Sequence, residues 1–413
     1  MLPYLEALRI IREAATTPAS TILATHEALH RVLAEDFSAP FAVPRFDNSS
    51  MDGFALRAED TQGASEQTPL TIPVLRALAA GDVAGSNQAG YAVEIMTGAA
   101  MPQIADAVIP IENVTTLCDA DGHVIHIRIT QPVPLHDNVR FAGEDFSADQ
   151  QLISAGTRLT PAHLAILYAT GTTQVRVIET PTVSIFTTGK EVSDDYDQPL
   201  GPSQIYNSNT PYLIAELQTI GLPAVCAGHI GDDEQKFRDM LASQTQARIL
   251  VSSGAVSKGK WDFIPAVLKE LGAEILFHRV AIKPGKPVLF ARMPDGRYFF
   301  GLPGNPISAA IGLRFFMMPL IRKLLNLPDE QPGFARLSAP YRKKGPLRLF
   351  LKARIQNTVD GRIALEILSG QESFKIAPLL QTNAWAVFDE TPGEIAADQP
   401  VMFYPTALLA SYD

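Results

Sequence analysis

The run Val183-Ser184-Ile185-Phe186-Thr187-Thr188-Gly189-Lys190-Glu191 begins as a short apolar strand and then breaks, at a glycine, into a polar loop. Two further runs of this kind, Ala224-Val225-Cys226 and Arg248-Ile249-Leu250-Val251, alternate with helical stretches starting at Thr210, Asp233 and Asp262. Buried strands that alternate with helices are the rhythm of a parallel sheet. Strands expected around Leu276, Leu289 and Phe299 extend it, and a helix from Asn305 to Leu325 closes residues 177–327 as a three-layer α/β domain. In such sheets ligands bind outside the carboxyl ends of the strands. Those ends carry Thr187 to Glu191, Gly231-Asp232-Asp233, Ser252-Ser253-Gly254 and Gly301-Leu302-Pro303-Gly304.

Outward from this domain the pattern changes on both sides. Residues Met1 to Ala15 repeat Leu5, Leu8 and Ile11 against Glu6, Arg9 and Glu13, an amphipathic helix. Thr160-Pro161 opens another helix that closes near Gly171, and the pair is expected to pack together in a helical linking domain, 1–23 plus 138–176. Between them, residues 24–137 read as an inserted β-rich domain of short strands punctuated by Gly, Asp and Pro. Residues 328–413 alternate as a small C-terminal β-barrel. There Arg336, Arg342, Lys343, Lys344, Arg348, Lys352 and Arg354 stand without an intervening acid, a pattern that favours a solvated hairpin face over a ligand surface. The fold class expected is thus mixed α/β and multidomain.

Composition limits the chemistry. The chain has 413 residues, 46% of them hydrophobic, enough for several packed cores. A formal charge of −10 argues against nucleic acid or an anionic membrane as a general partner, so any anion site must be local. Cys118 and Cys226 lie far apart, outside any CxxC pattern, which fits a reducing, cytoplasmic setting. The apolar stretch Phe315 to Ile321 is bracketed by Arg314 and Arg322 and is far shorter than the roughly 20 residues that a bilayer span needs.

Two loops make an anion corner. In Ile282-Lys283-Pro284-Gly285-Lys286-Pro287 the lysines stand three residues apart on a stiff, lean backbone. In Gly301-Leu302-Pro303-Gly304-Asn305-Pro306, Asn305 is a good N-cap and Pro306 a good first helical residue. The amides of Ile307, Ser308 and Ala309 are then expected to lie free beside the lysines, suited to phosphate or another tetrahedral oxyanion. Glu191, Asp232 and Asp262 each follow a strand or begin a helix, where the topology would bring them to one crevice able to hold Mg²⁺ with substrate phosphate. Asp233 or Asp262 could equally cap its helix.

Other motifs are weaker. Gly254 to Lys260 has P-loop spacing, but Trp261 stands where Ser or Thr should ligate magnesium. No GxGxxG fingerprint or HExxH spacing occurs, and His229 and His278 read as packed histidines. Turn chemistry accounts for most of Asp47-Asn48-Ser49-Ser50-Met51-Asp52-Gly53-Phe54 and Met96-Thr97-Gly98-Ala99.

Taken together, Asp47 to Ala55, Met96-Thr97-Gly98, Gly143-Glu144-Asp145, Thr188-Gly189-Lys190-Glu191, Ser252 to Gly259, Lys283 to Pro287 and Leu302 to Ser308 resemble the MoeA-type molybdopterin molybdenumtransferases, the family that includes the E domain of gephyrin. The resemblance covers nearly the whole chain. It implies four domains, the third like the separate adenylyltransferase (MogA/MoaB-like), and a homodimer whose site spans the subunit interface. It also implies that adenylylated molybdopterin and molybdate combine with divalent-metal help, releasing AMP and molybdenum cofactor. By that resemblance Lys283 and Lys286 would act on the oxyanion, and Asp52, Thr97 and Asp145 would act from the facing subunit. Ser253, Gly254, Ser257, Pro284, Pro287, Pro303, Asn305, Pro306, Ser308 and Lys352 would bind substrate or oxyanion, while Glu191, Asp232 and Asp262 would serve the metal. Molybdopterin adenylyltransferase and molybdoenzyme-maturation proteins would be its partners.

The sequence departs from the family pattern at Ala255, Lys190, Asn207, Lys352 and Ala377. Lys352 keeps the charge of the expected arginine but loses its bidentate fork. The alternative reading is a non-catalytic or tungstate-preferring molybdopterin-binding paralogue acting as carrier or scaffold.

Overall fold

The computed structural model describes residues 1–17, 19–254, 263–358 and 361–409. They form two compact units: Met1–Glu35 with Ala155–Ala165 and Thr173–Asp413, and Asp36–Ser154 with Ile166–Thr172.

The first unit is built on six strands, β1 (Val183–Thr188), β2 (Ala224–Gly231), β3 (Ile249–Ser253), β4 (Glu274–His278), β5 (Leu289–Arg292) and β6 (Tyr298–Leu302). Their order is β2-β1-β3-β6-β5-β4. The parallel rhythm holds for β2, β1, β3 and β6 only. β5 runs antiparallel to both β6 and β4. The cause is the tight turn at Met293–Arg297, closed by the Met293 N–H on the Arg297 carbonyl at 2.8 Å, because so short a connection can only reverse the chain.

Alternation along the strands feeds two cores. Ile249, Val251, Tyr298 and Phe300 pack on one face, and Leu250 and Phe299 on the other. The first face carries helices α1 (Tyr4–Ala14), α3 (Asn209–Thr219), α6 (Pro306–Gly312) and α7 (Met318–Leu324); the second carries α4 (Glu234–Ser243) and α5 (Ile264–Glu270). This is the expected three-layer arrangement.

The N-terminal helix does not pack on α2 (Pro161–Ala169) as expected from the sequence. Its stripe Tyr4, Ala7, Leu8, Ile11 and Ala14 enters the core of the α/β layers instead. Periodicity reveals that a helix has an apolar face but not which surface will cover it. Tyr4 has a specific task there. Just past the π-helical turn Leu313–Met317, Pro319 lacks the N–H that an α-helix would pair with the Phe315 carbonyl, and the Tyr4 hydroxyl donates to that carbonyl at 3.4 Å. Burial pushes the Tyr4 phenol well above its ordinary pKa, so it stays a donor.

The C-terminal part of this unit is a closed five-stranded barrel. Arg348–Asn357, Ile363–Ile367, Gly333–Leu337, Pro400–Pro405 and Ala384–Phe388 pair in that order, and the last pairs back to the first. The basic cluster is only partly a solvated face: Arg336, Arg342 and Lys344 are exposed. Lys343, Arg348 and Lys352 are buried, Arg348 reaches Glu390 at 3.1 Å and Arg354 reaches Glu366 at 2.7 Å.

The second unit centres on another six-stranded sheet: Ala107–Pro110, Gly53–Leu56, Ala92–Ile95, Leu70–Leu78, Val124–Ile129 and Thr115–Cys118, in spatial order. Phe54, Ile72, Ile109 and Ile127 form part of its core. Residues 24–35 belong to the first unit, next to Ser20–Ala24, which pairs with Gln174–Ile178. Residues 138–154 fold with the second, where Val139 and Arg140 pair with Ser49 and Asn48. The four-part division drawn from the sequence is finer than these two units and remains a proposal. Among the described residues no helix is long and apolar enough to cross a membrane.

Candidate functional site

Beyond the carboxyl ends of β1, β3 and β6 lies a cleft of about 800 Å³. Of the residues singled out from the sequence, Glu191, Asp232, Ser253, Gly254, Pro287, Pro303, Asn305 and Pro306 all line it. Gly254 follows β3 at φ +107°, where a Cβ would stand 2.5 Å from the Thr188 hydroxyl oxygen and 2.9 Å from its carbonyl oxygen. Only glycine lets the two strand ends approach this closely.

Thr187, at a strand end expected to face ligand, and Asn207, a departure from the family pattern, also line the cleft, as does Asn209, which was not among the expected site residues. The Asn207 amide donates to Thr187 Oγ1 at 2.7 Å and to Asp194 Oδ1 at 2.6 Å, and its oxygen accepts the Thr210 N–H at 3.1 Å. An asparagine supplies both donor and acceptor here, which a carboxylate could not do. The Asn209 amide donates to Ser253 Oγ and to the Gly304 carbonyl, both at 2.8 Å. Because the Gly304 carbonyl can only accept, the amide orientation is set, and the buried Asn209 Oδ1 has no partner among the described residues.

The carboxylates divide by role. Asp233 caps α4, accepting the Gln235 and Lys236 N–H groups at 2.9 and 3.0 Å. Asp232 faces the cleft, with Lys190 Nζ 3.9 Å from its Oδ2. His229, as expected of a packed histidine, bonds through Nε2 to the Gly189 carbonyl at 2.8 Å. Asp262, Ser257, Ala255 and the P-loop-like run as far as Trp261 lie outside the described residues.

The lysine loop abuts the first turn of α6. A Cβ on Gly285, at φ +93°, would lie 3.5 Å from the Ser308 carbonyl. Lys283 and Lys286 are exposed, while Ser308 is buried. The expectation of free amides at this helix start needs correction. The Ile307 N–H donates to the Ser373 carbonyl and the Ala309 N–H to the Asn305 carbonyl, each at 3.0 Å, and Asn305 makes no side-chain cap.

Lys352 also differs from expectation. Its side chain has no exposed surface, and Nζ donates to the Lys375 carbonyl at 3.0 Å and to the Glu372 carbonyl at 3.4 Å. Burial lowers its pKa. It grips the loop that brings Phe374 and Ile376 to the cleft and is not itself among the lining residues. Periodicity could not have found Phe374, because its place depends on how the barrel docks on the α/β layers.

In the second unit the structure joins Asp52 to Thr97. Asp52 Oδ1 accepts the Thr97 N–H at 2.7 Å and the Thr97 hydroxyl at 2.8 Å. The backbone bond, then the hydroxyl, holds this carboxyl below its ordinary value of 3.8. Gly53 is a strand residue, not a turn glycine: a Cβ would fall 2.1 Å from the Ile109 carbonyl oxygen. Asp145 is exposed on a neighbouring loop, its N–H on the Val43 carbonyl at 3.0 Å, and the Asp47 carboxylate holds that loop through the Ala142 N–H at 2.7 Å.

Comparison with known proteins identifies both parts of the chain. Residues 2–171 match the MoeA N-terminal region (domain I and II), and residues 184–323 a probable molybdopterin binding domain. A molybdopterin molybdenumtransferase of Synechococcus elongatus is 35% identical over 90% of this chain and 91% of its own. That of Bacillus subtilis is 33% identical over 94% and 90%. The molybdopterin biosynthesis MoeA protein of Pyrococcus horikoshii superposes with a TM-score of 0.82 at 28% identity, covering 98% of this chain and 99% of that one. With its motifs, its layered fold and this identity along nearly its whole length, the chain belongs to the molybdopterin molybdenumtransferase family.

Proposed function

We propose that the cleft is where molybdate is joined to molybdopterin, as a step of molybdenum cofactor biosynthesis. The finer reading is that the substrate arrives adenylylated, its phosphoanhydride is cleaved, and AMP and molybdenum cofactor leave. One observation carries it. Carboxylates from separate loops, Glu191 and Asp232, share one cleft with the glycine-tight end of β3 and the proline loop before α6, within the segment that matches a molybdopterin binding domain.

The donor set suits a divalent ion such as Mg²⁺. Such an ion takes hard oxygen ligands, one or two of them protein carboxylates and the rest phosphate or water. Lys190 is largely exposed and long enough to withdraw from Asp232. When bound, the ion would polarise the phosphoanhydride and offset repulsion between acid and phosphate. The chain's own residues do the rest by electrostatics. Lys283 and Lys286, exposed on the loop that leads to Pro287 at the cleft, neutralise the entering molybdate and departing phosphate charge, and Pro287, Pro303 and Pro306 keep the cleft wall rigid. Ser253 and Asn305 offer polar contacts on the cleft wall.

A homodimer belongs to the same proposal, with Asp52, Thr97 and Asp145 acting in trans. So does a cytoplasmic setting, which two exposed cysteines without a disulfide support. An adenylyltransferase would supply the substrate, and molybdoenzyme-maturation proteins would receive the product.

The test is incubation of purified protein with adenylylated molybdopterin, Mg²⁺ and molybdate while AMP is followed. Molybdate-dependent AMP release is expected. Tight pterin binding without such release would overturn the reading, as would AMP release indifferent to molybdate.

A further inference from the structure

We propose that Phe374 is the residue on which a planar heterocycle of the substrate stacks, and that Lys352 is the positioning residue that holds it there. The inference rests on the functional reading above for the identity of the ligand, and on geometry for the rest.

Phe374 lines the cleft yet is 64% exposed, a large aromatic surface left to solvent beside the aliphatic Val192, Ile205 and Ile376. It has no ring partner among the described residues. Tyr206, the other aromatic of the cleft, already stacks on Tyr196, with centroids 5.9 Å apart and planes at 29°.

The loop beneath Phe374 is bound on every side. Lys352 Nζ ties the carbonyls of Glu372 and Lys375, and the Ser373 carbonyl is tied to the Ile307 N–H. Gln371 Oε1 accepts the Lys352 N–H at 3.0 Å, and its Nε2 donates to the Lys352 and Leu368 carbonyls at 2.8 and 2.7 Å. A buried ammonium is costly unless its protons are used. Here it is spent on the two carbonyls that flank the exposed ring.

A second observation points to the same kind of ligand. Asn209 Oδ1 is a buried acceptor on the cleft wall with no partner among the described residues, as a ring that carries N–H donors would require. Pterin and adenine share this chemistry: each is flat, heteroaromatic and bears an amino group. A π-face tolerant of any such ring is what an aromatic platform offers.

The experiment measures binding of AMP and of molybdopterin, each alone, by titration calorimetry to the full-length protein and to Phe374→Ala, Phe374→Trp, Lys352→Met and the double variant Lys352→Met/Phe374→Ala. Phe374→Ala should weaken one of the two ligands by about 5- to 100-fold, the range for loss of one aromatic–base stack, while Phe374→Trp restores it. Loss with AMP identifies adenine as the stacked ring, and loss with molybdopterin identifies the pterin.

Lys352→Met should weaken the same ligand and no other, and should add less than about twofold on the Phe374→Ala background, because it acts through that ring. A Lys352→Met variant that unfolds leaves the Phe374 arm decisive. If Phe374→Ala binds both ligands within about twofold of wild type, the stacking assignment is overturned. If the wild-type protein binds neither ligand, the functional reading falls, and this assignment with it.

Discussion

Replacing Gly254 with alanine tests the tightest point of the cleft. At φ +107° a Cβ is strained whatever room it finds, which costs about 1–3 kcal/mol. It would also sit 2.5 Å from Thr188 Oγ1 and 2.9 Å from the Thr188 carbonyl oxygen, an overlap that costs about 1–3 kcal/mol more. The total is about 2–6 kcal/mol, borne where β1 and β3 deliver their loops to the site. Scanning calorimetry should show the melting temperature of the first unit falling by about 3–10 °C, with AMP binding lost alongside it. A second substitution separates the contributions. Thr188→Ala removes the hydroxyl but not the carbonyl, so Gly254→Ala/Thr188→Ala should regain at most about half of the loss. A Gly254→Ala protein that melts within about 1 °C of wild type and binds AMP as well would refute the argument that this glycine is required by close approach.

Four other outcomes follow from named contacts. Thr97→Val removes the hydroxyl and keeps the backbone N–H, so the Asp52 carboxyl should titrate partway back toward its ordinary value, as read by ¹³C NMR, and an unchanged titration would dismiss the Thr97 hydroxyl as a contributor. Since the folded pKa is the lower one, this contact adds stability at pH values above the ordinary carboxylate value and loses it as pH falls through the folded value. Lys190→Ser should tighten Mn²⁺ binding, followed by electron paramagnetic resonance, by about two- to fivefold, the range for loss of one exposed charge contact; weaker binding would count against Asp232 as a ligand. Glu330→Gln should destabilise the protein by about 3 kcal/mol in urea, because Arg314, now tied to Glu330 at 2.5 Å, would be left buried with only part of its charge compensated. Asp52→Asn and Asp232→Asn proteins, each expected to be inactive, should recover AMP release when mixed if the site is completed in trans; no recovery on mixing and refolding would speak against the dimeric site.

Much of the fold was legible because it depends on local pattern. Val183–Phe186 and Arg248–Val251 are apolar runs bounded by glycine and polar loops, and each became a buried strand. Asn305-Pro306 opened a helix as expected, and Asp233 capped one. The cleft followed from topology, since parallel strands deliver their loops to one edge. What was not legible involved a surface from elsewhere in the chain. Leu8 and Ile11 of the α1 repeat are buried as the pattern suggested, but Leu5 is exposed and Tyr4, Ala7 and Ala14 complete the stripe, because the surface that covers the helix, Phe315 and Phe316 among it, comes from elsewhere in the chain. The Ile307 amide looked free until the barrel brought Ser373 to it. The antiparallel edge of the sheet depended on a turn between β5 and β6 that no period announces.

The sequence by itself therefore determined the strands, the helices, the family and the glycine-bounded loops that carry Glu191, Asp232, Ser253 and Gly254, because these rest on backbone propensity and on side chains near in sequence. Only the tertiary structure decided what Lys352 does. A lysine in a basic run reads as a surface charge, or as a stand-in for an oxyanion-binding arginine. Yet the barrel closes around it and leaves the Glu372 and Lys375 carbonyls as its partners. A buried ammonium must use its protons where it finds acceptors, and their location is a property of the folded chain.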